Sequence, residues 1–181
     1  MDNGYKAGIG RISGRRCLIL LARTLVVLDK EGFAMELTES LKKLQADIVT
    51  AYFQIHGYHW NVEGMLFPEM HAKFLEIYED VYESIDDISE MLRKLNTPAP
   101  HMLEQFMENR NITSIYFGNS PVDQIESFLV SNEVIINDLR VAHEAAEEAG
   151  QIGIAGDLEI RESAHQKWNW QLSSTIKKSI I

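Results

Sequence analysis

Apolar residues recur every three or four positions over four stretches of the chain, and this period predicts four amphipathic helices. In the first stretch the apolar face runs through Leu41, Leu44, Ile48, Tyr52 and Ile55 and reaches His59. The second stretch runs from Phe74 to Leu95 behind Pro68, which suits the first turn of a helix. The third and fourth cover residues 121–150 and 154–178. Ser120 and Pro121 predict the start of the third helix, as an N-cap and a first-turn proline.

The connections between these stretches indicate how the helices are arranged. Residues 96–100, with two prolines, end the second helix, and residues 101–120 form a long connection with a short amphipathic piece at 101–107. Helices of about 25 residues joined in this way predict an all-α fold. We expect an antiparallel four-helix bundle with a short extra helix between helices two and three. The sequence contains no phosphate-binding glycine loop and no Ser-His-Asp arrangement.

Residues 1–34 differ from the rest of the chain in composition. They hold five of the 11 glycines and six basic residues against three acidic ones, without a sustained helical period. One interpretation is a flexible basic tail. The other is an extension upstream of a translation start at Met35, because Lys30-Glu31-Gly32 can be encoded by a purine-rich ribosome-binding sequence. The expected organisation is therefore an extension over 1–34 and a bundle over 35–181, and the intact mass of the native protein distinguishes the two interpretations.

Charge and cysteine content restrict the classes of partner. The chain has a net charge of −10, and residues 35–181 alone carry 11 basic and 24 acidic side chains. Such a body attracts cations and repels phosphate backbones, so DNA binding would depend on the basic arm. The single Cys17 excludes an intrachain disulfide and fits the cytoplasm. The apolar segment 17–28 is interrupted by Arg23 and is shorter than the ~20 residues that span a bilayer, so no membrane association is expected.

Four side chains are candidate metal ligands: His59, His71, Asp86 and Glu90. Neutral imidazoles together with carboxylates suit ferrous iron, zinc or manganese, and open coordination positions suit redox chemistry with oxygen or peroxide. Asp86 and Glu90 lie one helical turn apart, so they can hold one cation or bridge two. The alternatives are that the two acids are simply solvated and that the histidines are hydrogen-bonded groups at the edge of the core.

A second candidate centre is the Glu162-x-x-His165 pattern, which supplies ligands to di-iron sites inside helical bundles. Such a site needs the pattern on two helices, and no other histidine of this chain has a glutamate three residues before it. The intrachain centre is therefore disfavoured. We expect His165 to be a core histidine packed near Trp168.

A longer motif that begins in the first helix supports the first set of candidate ligands, which includes His59 and His71. His59-Trp60-Asn61-Val62-Glu63-Gly64, followed by Phe67, His71, Phe74, Tyr78, Asp86 and Glu90, resembles the signature of the Dps (DNA protection during starvation) mini-ferritins of the ferritin-like superfamily. The resemblance covers residues 38–178. It implies a homo-oligomeric shell of twelve subunits, with catalytic metal sites at two-fold interfaces. One subunit would supply His59 and His71, and the other would supply Asp86 and Glu90.

The resemblance also implies the activity. Fe(II) would be oxidised, usually by hydrogen peroxide, and ferric iron stored in the cavity, which protects against oxidative damage. The chain departs from the family at Leu75, where a carboxylate usually follows the second histidine by one turn. Leucine cannot bind a metal, so we expect the second iron position to be weak or to use Glu76 or Glu79 instead, neither of which is a clean substitute on the helix. The alternative is a shell-forming or DNA-associated structural protein with weakened ferroxidase activity.

Overall fold

The computed structural model describes the backbone of residues 14–113 and 117–177, and within these ranges the side chains from residue 31 onward. The described residues form five helices and no strand. The helices are α1 (Gly14–Asn61), α2 (Phe67–Lys94), α3 (Leu103–Asn109), α4 (Pro121–Glu148) and α5 (Ile152–Ile176). This arrangement confirms the predicted fold class, with α3 as the short extra helix between the second and third long ones.

Helix α1 begins earlier than the sequence pattern suggested, at Gly14 rather than near Met35. Residues 17–28 contain no glycine or proline, and five of the twelve are leucine, which favours helix, so the backbone continues the helix toward the N-terminus. The boundary at residue 34 and the translation start at Met35 stay predictions. The side chains of the proposed basic arm lie outside the described residues.

The long helices pack as two antiparallel hairpins. Helix α1 pairs with α2, α4 pairs with α5, and the hairpins join where α1 packs against α4, while α3 lies against α1. The shared core is formed by fully buried aliphatic and aromatic side chains from all four long helices. Its largest members are Leu37, Leu41, Leu44, Ile48, Phe74, Ile77, Ile88, Leu92, Ile125, Ile135, Leu139 and Leu158. Burial of this apolar surface is the main stabilising term of the bundle.

Helix termini follow from specific residues. The side chain of Ser120 accepts a hydrogen bond from the Asp123 amide at 3.2 Å, which confirms the predicted N-cap of α4. At the end of α2, Asn96 has a positive φ of 58°, and the Thr97 amide donates to the Leu92 carbonyl at 3.0 Å. This left-handed cap lets the chain turn away from the helix axis.

Polar contacts also connect the helices. Arg161 of α5 forms an ion pair with Asp80 of α2. In the core, Asn132 of α4 donates to the His165 carbonyl at 3.0 Å, and His165 Nδ1 donates to the Asn132 side-chain oxygen at 2.6 Å. In the part of the chain that the structure describes, no helix combines the length and apolar character needed to cross a membrane.

Candidate metal centre

His59 and His71 face each other where α1 ends and α2 begins. The Nδ1 atom of His59 lies 2.7 Å from the His71 carbonyl oxygen, and the Nδ1 atom of His71 lies 2.7 Å from the His59 carbonyl oxygen. A carbonyl oxygen can only accept, so each Nδ1 carries the proton and donates. The two imidazoles are stacked, with ring centroids 3.7 Å apart and planes inclined by 21°.

This reciprocal pairing determines which nitrogen of each histidine can bind a metal. In a neutral imidazole whose Nδ1 donates, the Nε2 lone pair is free, and a backbone carbonyl is a common partner for orienting a histidine ligand. Each imidazole has one such lone pair, and the two rings lie side by side. The pair therefore suits one nitrogen ligand to each of two neighbouring ions.

Aromatic rings surround the histidine pair. Phe67 stacks on His71 with centroids 5.1 Å apart, and Tyr78 meets His59 edge to face at 5.4 Å. His56, one turn before His59, stacks on Tyr78 at 4.1 Å and 21°. Burial, and then the charge of His59, lower the pKa of His56. These contacts restrict the orientation of the imidazoles before any ligand arrives.

The two predicted carboxylate ligands lie elsewhere on α2. Asp86 and Glu90 are exposed, and Asp86 is 15 residues beyond His71, or about 22 Å along the helix axis. Asp86 lines a groove with Tyr82, whereas Glu90 borders the groove between α2 and α5. One protomer therefore does not bring the four predicted ligands together. Among the described residues, no three histidine, cysteine or acidic side chains form a metal-binding group.

Position 75 offers no carboxylate beside the histidine pair. Leu75 is half-buried one turn after His71. The Glu76 carboxylate binds the Lys73 ammonium at 2.8 Å and 2.9 Å. Glu76 would have to leave this ion pair to bind a metal beside the histidines.

The alternative intrachain centre is not assembled. The Glu162 carboxylate accepts hydrogen bonds from Arg140 and Gln166, both at 2.7 Å. His165 is fully buried, stands 4.8 Å from Trp168 edge to face, and has a pKa lowered to about 3 by burial and by Arg161. The prediction that His165 is a core histidine beside Trp168 is confirmed.

Sequence reasoning missed a pair of buried acids, Asp47 on α1 and Asp138 on α4. The Asp47 carboxylate accepts from the backbone amides of Asn111 at 2.8 Å and Ile112 at 2.7 Å. The signal for Asp47 was its position between the buried-face residues of α1. An acid on an apolar helix face usually has a specific partner, because an unpaired buried charge is costly.

Comparisons with known proteins agree with this architecture. A family model described as a ferritin-like domain matches residues 38–179. The DNA protection during starvation protein of Brevibacillus brevis is 27% identical over 137 residues, which cover 76% of this chain and 92% of that protein. The X-ray structure of Dps from Thermosynechococcus elongatus has a TM-score of 0.78 at 28% identity, with 83% and 96% of the two chains covered.

A further solved structure gives the chemical class of a relative. The DPS protein of Vibrio cholerae O1 is described as a member of a broad superfamily of ferritin-like diiron-carboxylate proteins. It matches with a TM-score of 0.76 at 25% identity, over 81% of this chain and 92% of its own.

Proposed function

Because the chain belongs to the ferritin-like domain family and resembles the Dps proteins, we propose that it is an iron-storage protein with ferroxidase sites shared between two protomers. The observation that carries the proposal is the stacked histidine pair. His59 and His71 each use Nδ1 to hold the other's backbone carbonyl, which leaves two Nε2 atoms for metal. Iron enters this scheme as the substrate.

The remaining ligands would come from a second protomer. Asp86 and Glu90 are exposed and one turn apart on α2, far from the histidines of the same chain. An antiparallel two-fold contact between copies of α2 can place the carboxylates of one protomer opposite the histidines of the other, and it does so twice. Each pair of protomers would then hold two equivalent sites.

Exposed apolar side chains around the histidine pair support a protomer contact at this face. Phe67, which stacks on His71, is 43% exposed, and Trp60, which lies 4.1 Å from His56 between ring centroids, is 64% exposed. Clustered apolar exposure of this kind marks an interaction surface. The face that would cover the histidines is therefore suited to a second copy. The count of twelve subunits, the cytoplasmic location and DNA binding through residues 1–34 stay predictions.

The proposed reaction is the oxidation of two Fe(II) ions by hydrogen peroxide. Two Fe(II) ions each give one electron to hydrogen peroxide, which takes up two protons and leaves as two water molecules. The imidazoles are neutral ligands, whereas the carboxylates of the partner subunit are anionic. The negative charge of these carboxylates therefore suits Fe(III) better than Fe(II). A two-electron reduction avoids the one-electron step that releases a hydroxyl radical.

Fe(II) binding and oxidation test the carboxylates directly. In the unaltered protein, anaerobic titration should show Fe(II) binding, and added peroxide should then give rapid ferric absorbance. Both the binding and the absorbance should be strongly reduced in Asp86→Asn/Glu90→Gln. Glu144→Gln/Glu148→Gln is the matched control, because these acids are also exposed and one turn apart, on α4. Equal oxidation by the two double variants would contradict the proposed ligands.

A complementation experiment tests whether the sites are shared. A His59→Ala/His71→Ala chain and an Asp86→Asn/Glu90→Gln chain are each expected to be inactive. Co-assembled at equal amounts, half of the two-fold pairs are mixed, and each mixed pair has one intact site, so about a quarter of the sites return. No recovery in verified mixed oligomers would exclude sites built from both protomers.

A further inference from the structure

A third histidine, His56, lies beside the histidine pair. His56 and His59 are three residues apart on α1, so their side chains share one face of the helix. Their ring centroids are 6.2 Å apart, and the ring planes are inclined by 48°. His56 therefore adds a further nitrogen-bearing side chain next to a proposed metal ligand.

Aromatic rings hold the imidazole of His56 in place. Tyr78 of α2 stacks on it with ring centroids 4.1 Å apart, and the Trp60 ring lies at the same centroid distance. His56 is half-buried, and within the described part of the chain neither of its nitrogens has a hydrogen bond. A neutral imidazole keeps a lone pair on one nitrogen. His56 thus has a restricted orientation and an unused ligand atom.

The separation of His56 and His59 fits two imidazoles bound to one ion. Metal–nitrogen bonds of ~2.0–2.1 Å place the ring centroids of two such ligands about 4.5–6.5 Å apart, over the bond angles that metal sites use. The observed 6.2 Å lies within this range. His59 Nδ1 is occupied by the His71 carbonyl, so His59 would bind the ion through Nε2.

His56 also lies at the level of the bundle where the chain lacks a carboxylate. It is three residues before His59 on α1, and Leu75 is four residues after His71 on α2. Because the two helices are antiparallel and His59 stacks on His71, these steps run in the same direction, by about 4.5 Å and about 6 Å. The seam between α1 and α2 therefore has a nitrogen ligand on the α1 side, near the level where α2 offers none.

We propose that His56 is a third histidine ligand of the metal site and binds the same ion as His59. This inference rests on the proposed shared-site function. With one carboxylate from the partner subunit, the ion would have a two-histidine, one-carboxylate ligand set with open positions, which is typical of non-haem Fe(II) sites. The same protomer cannot complete the set, because Asp86 lies eight residues beyond Tyr78, about 12 Å along α2.

The third ligand makes the two ions of a site unequal. The ion at His59 has two imidazoles from one protomer, whereas the ion at His71 has one imidazole and no carboxylate at position 75. The first ion should therefore bind at His59 and the second, more weakly, at His71.

The test is an anaerobic titration of the assembled full-length protein with Co(II), followed by visible absorbance. His56→Phe keeps a ring for the stack on Tyr78 but removes both nitrogens. Loss of an outer-shell partner of a ligand weakens metal binding by ~10–100-fold, so loss of a ligand should raise the dissociation constant of the first Co(II) at least that much. His143→Gln is the matched control, because His143 is also half-buried on a long helix, and it should leave that constant unchanged.

X-ray absorption provides a measurement that a packing role would not change. With one Fe(II) per site and no oxidant, scattering from imidazole rings should show two histidines on the iron in the unaltered protein and one in His56→Phe. Weaker binding by His56→Phe with an unchanged histidine count would mean that the ring only positions His59, which contradicts the proposal.

The outcomes separate this inference from the function beneath it. Equal Co(II) affinity in His56→Phe and the unaltered protein would overturn the third ligand, and loss of binding in Asp86→Asn/Glu90→Gln would leave the shared site standing. Absence of Co(II) and Fe(II) binding in the unaltered protein would overturn both. If His56→Phe does not assemble, His56→Gln is measured in its place, where weaker binding with one histidine on the iron supports the proposal and full retention contradicts it.

Discussion

The buried pair Asp47 and Asp138 makes the stability of this protein depend on pH between 6 and 8. Asp47 is fully buried and Asp138 is 8% exposed, and the Asn111 side-chain amide lies 3.4 Å from both carboxylate oxygens of Asp138. Burial, and next the hydrogen bond and charge of Asp47, raise the pKa of Asp138 to about 7, against smaller opposing effects of Asn111 and Lys43. The pair therefore holds one extra proton below neutral pH.

The direction of the effect follows from proton counting. Between the unfolded pKa near 4 and the folded pKa near 7, the folded state binds more protons than the unfolded chain, so stability falls as pH rises through this window. From pH 6 to pH 8, a single site with a folded pKa of about 7 loses ~1.4 kcal/mol. The remaining solvent contact of Asp138 screens part of this, which leaves about 1 kcal/mol.

Asp138→Asn removes the titration while keeping the shape, and its amide can donate to the Asp47 carboxylate. We expect the variant to match the unaltered protein at pH 6 and to be more stable by about 1 kcal/mol at pH 8. For a chain of this size that difference is roughly 2–4 °C in the melting midpoint. The assay is thermal unfolding at pH 6, 7 and 8, at one protomer concentration.

Comparison between the two proteins isolates the pair, because every other titratable group is common to both. Glu144→Gln, an exposed acid on the same helix, removes one charge and should keep the slope of the unaltered protein. An Asp138→Asn variant whose stability falls between pH 6 and pH 8 by as much as that of the unaltered protein would refute a shared proton at this pair.

Three further variants test the fold and the site. Ser120→Ala removes the hydrogen bond from the Asp123 amide and should lower the free energy of unfolding by about 1 kcal/mol, measured with denaturant. An unchanged denaturation midpoint would show that this cap does not stabilise the protein. Phe74→Ala empties a fully buried position and should cost ~3–5 kcal/mol, and a loss below that of Ser120→Ala would mean that the core collapses to fill the space. Leu75→Glu supplies the missing carboxylate and should increase the number of Fe(II) ions bound per site in anaerobic titration, whereas unchanged stoichiometry would show that position 75 does not face the metal.

The helices and their ends were predictable because their causes are local. The three-to-four residue period of apolar side chains, the Ser120 cap and Pro68 at the first turn of α2 act within one or two turns, and the structure confirms each of them. The start of α1 was misplaced, because glycine content was taken to outweigh the helix-forming residues between the glycines. Composition over 34 residues is a weaker signal than the absence of glycine and proline from residues 15–31.

The candidate ligands could be named from the sequence, whereas their geometry depends on contacts between helices. The spacing of His59 and His71 does not reveal that each holds the other's carbonyl, since this requires the end of α1 to pack against the start of α2. The pairing of Asp47 with Asp138, 91 residues away, likewise depends on where α1 crosses α4. Local period determines which residues share a face of one helix. Only the packing of the bundle decides which faces meet, because that choice is set by the fit of all core side chains together.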